Sequence, residues 1–263
     1  MKKVLVIGDS CQDVFVYGKC PRLAPEGPAP VFHEVEVAKN DGMAKNVARN
    51  LRALLRFSPY KSDVEVLTQK KEITKTRFIE KSTNHLLLRV DTDVDTPSSE
   101  GFDIDGIDFD SYEMIIVSDY DKGFLSPEDL KEISVKHPLT ILDTKKILGK
   151  WAKHFSFIKI NREEYDRSKI ASTLLFLEPQ NREWLKESLI ITEGSRGCMY
   201  KHQRYSVKEI ETKDFAGAGD TFLAGFSHSY LENRDVPCAL HFANRCATQV
   251  VQKKGVVCVK LPI

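Results

Sequence analysis

The stretch DFAGAGDTFLAGF, residues 214–226, decides how the rest of the chain reads. Three small residues, Gly217, Ala218 and Gly219, stand directly before Asp220 and the opening of an amphipathic helix. Glycines relax backbone sterics and let a ligand approach the main chain. A helix start adds free N–H groups and the positive end of the dipole, which together attract an anion. Asp220 puts a negative charge in the same place, so a carboxylate and an anion would repel unless the carboxylate had chemistry to perform. A dinucleotide fingerprint is excluded, because the third glycine of G-x-G-x-x-G is missing and the motif lies late in the chain. The P-loop pattern G-x-x-x-x-G-K-[ST] occurs nowhere in the sequence. A glycine turn with Asp220 as a plain helix cap remains the structural alternative. The chemical reading is a phosphoryl group in transit: the N–H groups of Gly217–Gly219 stabilise its oxygens, and Asp220 accepts the proton of the attacking hydroxyl.

Working outward, VLVIGD is a continuous apolar run ended by Gly and Asp, the pattern of a strand buried on both faces. VFVYG and PVFHEVEVA, on either side of proline-rich PRLAPEGPAP, read as strands outside the central sheet. DGMAKNVARNLRALL places Met43, Val47, Leu51 and Leu54 or Leu55 at helical spacing, with Asp41 positioned to cap. FSPYKSD is a loop; VEVLT, TKTRFIEKS and HLLLRVD are strands; TPSSEGFDIDGIDFDS is a polar linker. Beyond it MIIVSDYD, LTILDTKK, FSFIKIN and LIITEG are short apolar strands, with SPEDLKEISVK as a Ser-Pro-started helix. Alternating strands and helices predict an α/β fold with a mainly parallel sheet covered on both faces. TFLAGFSHSYLEN and PCALHFANRCATQVVQKKG are closing helices, followed by a final strand. The expectation is one domain over 1–263 with a small β-rich lid at about 12–37 and 73–92.

Bulk charge is nearly balanced, 39 Lys and Arg against 38 Asp and Glu, so it offers no argument for nucleic acid or an anionic membrane as partner. The six cysteines are scattered without C-x-x-C spacing and read as reduced thiols of a cytoplasmic protein. Val4–Ile7 is too short for the apolar core of a signal peptide, and no apolar run approaches a membrane span. The histidines show no metal or triad spacing.

D-x-x-G-A-G-D-x-F, present as Asp214 to Phe222, resembles the C-terminal signature of the ribokinase-like (PfkB) carbohydrate kinases. The resemblance continues in order along the chain. VIGDSCQDVFVYG resembles the first strand, ending at a sugar-binding Asp, here Asp13. DGMAKNVA resembles the sugar loop, with Gly42 and Asn46 matching. INREE resembles N-x-x-E, which implies that Asn161 and Glu164 organise phosphate and Mg²⁺, Glu164 through water. ITEGSRG resembles the turn that meets the nucleotide, with Thr192, Gly194 and Gly197 matching. YGKCPRLAPEGPAPV, ITKTR with LLRVD, and SDYDKG are similar to segments of the heptose 7-phosphate kinase subgroup. That likeness implies a ribokinase-like α/β/α sandwich, ATP and Mg²⁺ as cofactors, a sugar or sugar phosphate as acceptor, and a homodimer through the lid. It adds Lys122 and Arg77, with Arg22, as candidate substrate ligands.

Two departures stand out. Met43 takes the place of the loop's second glycine, and Lys45 replaces a small residue. Between Arg56 and Val66 the chain is short by about one strand–helix unit, because RFSPYKSDVEV is too brief for both. These departures motivate a second reading, a non-catalytic sugar-phosphate sensor on a kinase scaffold. A kinase for another sugar or a nucleoside is a third. The expectation is that no nucleotidylyltransferase domain follows the last helix and final strand, which makes this a pared-down, stand-alone kinase.

Overall fold

The computed structural model describes residues 2–92 and 102–260. Its frame is an eight-stranded sheet built from β1 (Lys2–Gly8), β4 (Ser62–Leu67), β7 (Met114–Asp119), β8 (Thr140–Thr144), β9 (Phe157–Asn161), β10 (Leu189–Thr192), β11 (Cys198–Tyr200) and β12 (Gln203–Tyr205). The spatial order is β12-β11-β10-β9-β8-β7-β1-β4; every pairing from β4 to β10 is parallel, and the β11–β12 edge is antiparallel.

Alternation along the strands explains why both faces are covered. Val4 and Val6 point to one side, against α1 (Ala44–Leu55), α6 (Ala218–Asn233) and α7 (Val236–Val251). Leu5 and Ile7 point to the other, against α2 (Pro127–Lys136), α4 (Thr173–Leu177) and α5 (Pro179–Ser188). Each buried aliphatic side chain contributes about 1.5–3 kcal/mol on removal from water, so a sheet apolar on both faces is stable only between two helix layers. The α/β/α layering read from the sequence is therefore what forms. The sequence reading passed over residues 162–188, where α3 (Arg162–Ala171), α4 and α5 lie.

A second sheet has the order β3-β2-β5-β6, from β2 (Ser10–Leu23), β3 (Pro30–Met43), β5 (Ile73–Glu80) and β6 (Leu86–Thr92). These strands run further than the lid segments 12–37 and 73–92. The register Asp13↔Lys75 and Phe15↔Arg77, with Arg77↔Arg89, puts Asp13, Lys75, Arg77 and Arg89 on one face. Val37, Leu88 and Val90 lie on the opposite face, each exposed.

Several local expectations are corrected. Asp41 does not cap α1: it lies within β3, the cap position is Met43, and the Ala44 N–H is taken by the Asp9 carbonyl at 3.0 Å. Asp13 is not at the end of the first strand, because β1 stops at Gly8 and Asp13 belongs to β2. The segment 56–61 carries no helix, so α1 leads straight into β4. The polar linker at 96–111 lies outside the described residues as far as 101; its remainder is loop with one short turn at Phe109–Ser111. No final strand forms among the described residues after α7. Side chains take up that backbone instead: Val259 N–H donates to Asn50 Oδ1 at 2.9 Å, and Lys260 N–H to Gln249 Oε1 at 2.7 Å. No helix among the described residues is long and apolar enough to cross a membrane.

Asn50 is fully buried on α1, and its amide also donates to Asn46 Oδ1. Asn50→Ala leaves the Val259 N–H buried without its acceptor and is expected to cost about 1–3 kcal/mol. A lower denaturant midpoint at unchanged slope in urea unfolding checks this.

Candidate active site

The site is built at the carboxyl ends of the parallel strands, where open α/β sheets place their ligand crevices. Asp9 follows β1, Tyr120 follows β7, Lys145 follows β8, and Asn161 and Thr192 close β9 and β10. Into this row the start of α6 delivers Asp220. Gly217 is its N-cap at φ 75°, a left-handed conformation that side chains rarely adopt. Within the helix Thr221 N–H reaches back to the Gly217 carbonyl at 2.9 Å. By helix geometry the N–H groups of Gly219 and Asp220 find no carbonyl within the helix and point out of its end. The sequence reading had all three small residues donating to an anion; Ala218 N–H is instead taken by the Phe215 carbonyl at 3.2 Å. The tight turn before the helix needs that bond.

Asp220 is buried, with 3% of its surface exposed. Its Oδ1 accepts from the Tyr120 hydroxyl at 2.6 Å and its Oδ2 from Asn46 Nδ2 at 2.9 Å. The Asn46 amide is held in that orientation because its Oδ1 already accepts from Arg49 and Asn50 at 2.8 and 3.0 Å. Burial raises the carboxyl's pKa above the ordinary value, while the Tyr120 and Asn46 hydrogen bonds pull it down.

Two cavities share the α6 start as a wall. One, of about 510 Å³, is lined by Asp13, Met43, Tyr120, Gly217 and Asp220, with Lys75, Arg77, Arg89, Lys122, Lys145 and Arg167 supplying positive charge. The other is narrower and mainly apolar, lined by Thr192, Gly194, Gly197, Val207, Ile210, Phe215, Ala218, Gly219, Phe222 and Val251. Asp220 thus faces the cationic cavity while its two neighbours Ala218 and Gly219 face the apolar one. Such a wall lets a group bound on one side be handed to the other.

Residues 136–262 match the pfkB family carbohydrate kinase profile. That segment is pfkB-family carbohydrate kinase sequence. The matched segment includes Asp220 and the apolar cavity; Asp13, Asn46 and Tyr120 precede it. The bifunctional protein HldE of Helicobacter pylori is 31% identical over an alignment covering 97% of this chain and 64% of the relative, so the chain spans about 64% of that relative's length. The fold is that of ribokinase from Thermotoga maritima, TM-score 0.71 at 13% identity over 97% of this chain and 95% of the other. It is equally that of Arabidopsis thaliana ribokinase complexed with ribose and ATP, TM-score 0.67 at 15% identity over 97% and 94%.

The remaining candidate residues named from the sequence are placed as follows. Asp13 forms an ion pair with Arg77 within the cationic cavity. A side chain at Gly42 would collide with the Asp13 carboxylate and the Cys11 sulfur, so only glycine lets β2 and β3 close there. Lys122 lines the cavity, its backbone N–H on Asp9 Oδ2 at 3.3 Å. Arg22 is not brought in: it is exposed on β2 and reaches only the neighbouring Leu23 carbonyl at 3.4 Å. Asn161 and Glu164 form a capping box at the start of α3 and line neither cavity. Glu164 is tied to the site through its ion pair with Lys145.

Met43 sits at φ 57°, ψ −132°, 2% exposed, packed with Cys11, Ile73 and Tyr120. A non-glycine residue there stores roughly 1–3 kcal/mol of backbone strain, which the packed side chain offsets. Sequence reasoning missed Tyr120, Lys75, Arg89, Lys145 and Arg167. Of these Tyr120 had a signal, since it lies inside SDYDKG, as did Lys75 inside ITKTR and Arg89 inside LLRVD; Lys145 and Arg167 are an ordinary lysine and arginine until the fold brings them together.

Beneath Gly219, Lys159 Nζ pairs with Asp143 Oδ2 at 2.7 Å, both side chains under 5% exposed. Asp143 Oδ1 is buried with no hydrogen-bond partner among the described residues. Lys159→Met is expected to destabilise by about 3–5 kcal/mol, because it strands a buried carboxylate. The double substitution Asp143→Leu with Lys159→Met recovers most of that loss in urea unfolding.

Proposed function

We propose that the chain is an ATP-dependent carbohydrate kinase that transfers the γ-phosphoryl group to a sugar hydroxyl. One observation carries the reading: the α6 start, with Asp220 on it, separates a cationic cavity from an apolar one. The apolar cavity suits a nucleobase, with Thr192, Gly194 and Gly197 along its rim. The cationic cavity suits the acceptor, with Asp13 on its wall; Gly42 lets the strands close behind Asp13, and Asn46, fully buried, acts through Asp220. Asp220 takes the proton of the acceptor hydroxyl as its oxygen attacks the γ-phosphorus. The outward N–H groups of Gly219 and Asp220 then face the transferring phosphoryl oxygens.

Mg²⁺ enters this scheme with the nucleotide phosphates. Among the described residues no cluster of three or more His, Cys, Asp or Glu is arranged to hold a metal. The Glu164 carboxylate already accepts from Lys145, the Asn161 amide and the Asn161 N–H. That donor set fits a magnesium ion held mainly by phosphate and water, with Glu164 touching it through water. When bound, the ion neutralises phosphate charge.

The acceptor we favour is a phosphorylated sugar of the heptose 7-phosphate kind, giving the 1,7-bisphosphate. Support comes from the segments YGKCPRLAPEGPAPV and SDYDKG and from the six cations lining the cavity. The β2-β3-β5-β6 sheet supplies three of those cations and would close as a lid that keeps water from the phosphoryl group. Its outer face, with Val37, Leu88 and Val90 exposed, supports a homodimer paired through the lid. Leu88→Glu is expected to shift the protein from dimer to monomer in sedimentation velocity.

Asp220→Asn is expected to lose on the order of 10²–10⁴ in turnover with ATP affinity nearly kept. ADP release across heptose 7-phosphate, fructose, ribose and nucleosides measures this and names the acceptor. Near-normal turnover in the variant refutes the base. Calorimetric binding of sugar phosphate without Mg²⁺–ATP, and no ADP from any acceptor, establishes the sensor reading instead.

A further inference from the structure

The Asp220 carboxylate is held by two neutral donors, the Tyr120 hydroxyl on Oδ1 and the Asn46 amide on Oδ2. Charged and titratable groups surround it on the packed elements, yet among the described residues none forms an ion pair with it. Asp143 of β8 and Lys159 of β9 pair with each other. Lys145, past β8, is bonded to Glu164, and Arg49 of α1 donates to Asn46. Burial pushes the Cys11 thiol of β2 up to about 12, so it stays protonated. Lys75 of β5 lies 5.2 Å from the centre of the Tyr120 ring. One phenol and one amide therefore favour the charged form of this carboxylate, against burial, which favours the protonated one.

Tyr120 is fixed from several directions. Its backbone N–H donates to the buried Asp9 Oδ2 at 2.7 Å. Its ring packs against Cys11, Met43 and Ile73. Lys75 and Lys145 each place an ammonium 5.2 Å from the ring centre, an attraction that clamps it. Burial and the nearby Asp220 charge hold the phenol's pKa well above its ordinary value, so the hydroxyl remains a donor.

We propose that Tyr120 is a positioning residue for the base: its hydroxyl fixes Asp220 and holds it as a carboxylate aimed into the cationic cavity. The inference rests on Asp220 as the base. The acceptor's O–H bond breaks, its proton goes to Asp220, its oxygen bonds phosphorus, and ADP leaves; Tyr120 keeps its own proton throughout. A hydroxyl-to-carboxylate bond of 2.6 Å is charge-assisted and exists in that form only while the carboxylate is ionised. Removing the hydroxyl therefore favours the protonated acid, and the loss of function must fall on the acid side.

The test is a pH titration of isotope-labelled aspartate carboxyls by NMR in the ligand-free protein, with Asp220→Asn assigning the signal. Tyr120→Phe is expected to raise the Asp220 midpoint. 3-Fluorotyrosine at position 120, a more acidic donor of nearly the same shape, is expected to lower it. In steady-state assays Tyr120→Phe should lose on the order of tenfold in kcat on the acid side and rejoin the parent enzyme on the alkaline side. Midpoints unmoved in both variants, or a kcat loss equal at every pH, overturn the proposal. Should Tyr120→Phe fail to fold, the fluorotyrosine midpoint decides. Inactive Asp220→Asn with an unmoved Tyr120→Phe midpoint sinks this inference alone; active Asp220→Asn sinks the base reading and this inference together.

Discussion

A carboxylate buried at the mouth of a helix is the constraint around which the rest is arranged. Asp220 loses hydration and forms no ion pair among the described residues, so its charged form is favoured chiefly by hydrogen-bond donors placed by distant segments. Each donor is itself held. Val259 N–H and Asn50 orient Asn46, and Asp9 holds the turn that carries Tyr120. The tail after α7, helix α1, the end of β1 and the turn after β7 thus converge on one side chain. Remove the carboxylate and much of this polar chain has no purpose in an otherwise apolar core.

The charge contrast between the two cavities follows from where their walls originate. The cationic cavity takes Lys75, Arg77 and Arg89 from alternate positions of adjacent lid strands, so a single pleat delivers three positive groups. Several are partly spent: Arg77 on Asp13, Lys145 on Glu164, Arg89 on Asp91. The apolar cavity is walled by α6, α7 and the loop after β12, whose side chains extend the hydrophobic core outward. On the proposed reading, a polar acceptor and a flat, largely apolar base have separate homes, divided by one helical turn.

Met43 and the short connection from α1 to β4 mark where this chain departs from the pattern it resembles. Met43 is wedged among Cys11, Ile73 and Tyr120 with a backbone conformation suited to glycine, and it lines the cationic cavity. It packs with the same ring whose hydroxyl holds Asp220, so the shape of that cavity and the placement of the carboxylate are mechanically joined there. Helix α1 leads directly into β4, which stands at the sheet edge paired only with β1. That edge is remote in the strand order from β9 and β10, beside which the apolar cavity lies.

The sequence by itself determined the layered α/β frame, because continuous apolar runs can only be strands buried on both faces. It also determined the GAGD turn, because Gly217 and its neighbours demand a tight backbone before a helix. Local patterns of this kind are written in consecutive residues. It misplaced the cap of α1 and the segment after α7, since the Asp9 carbonyl and the Asn50 amide that complete them lie far away in the chain. Only the tertiary structure decided that Tyr120 meets Asp220 across 100 residues and that Lys75, Arg89, Lys145 and Arg167 join Arg77 and Lys122 in one cavity. Hydrogen bonds and electrostatics act over a few ångströms of space, and spacing along the chain does not encode which distant groups the folded sheet brings that close.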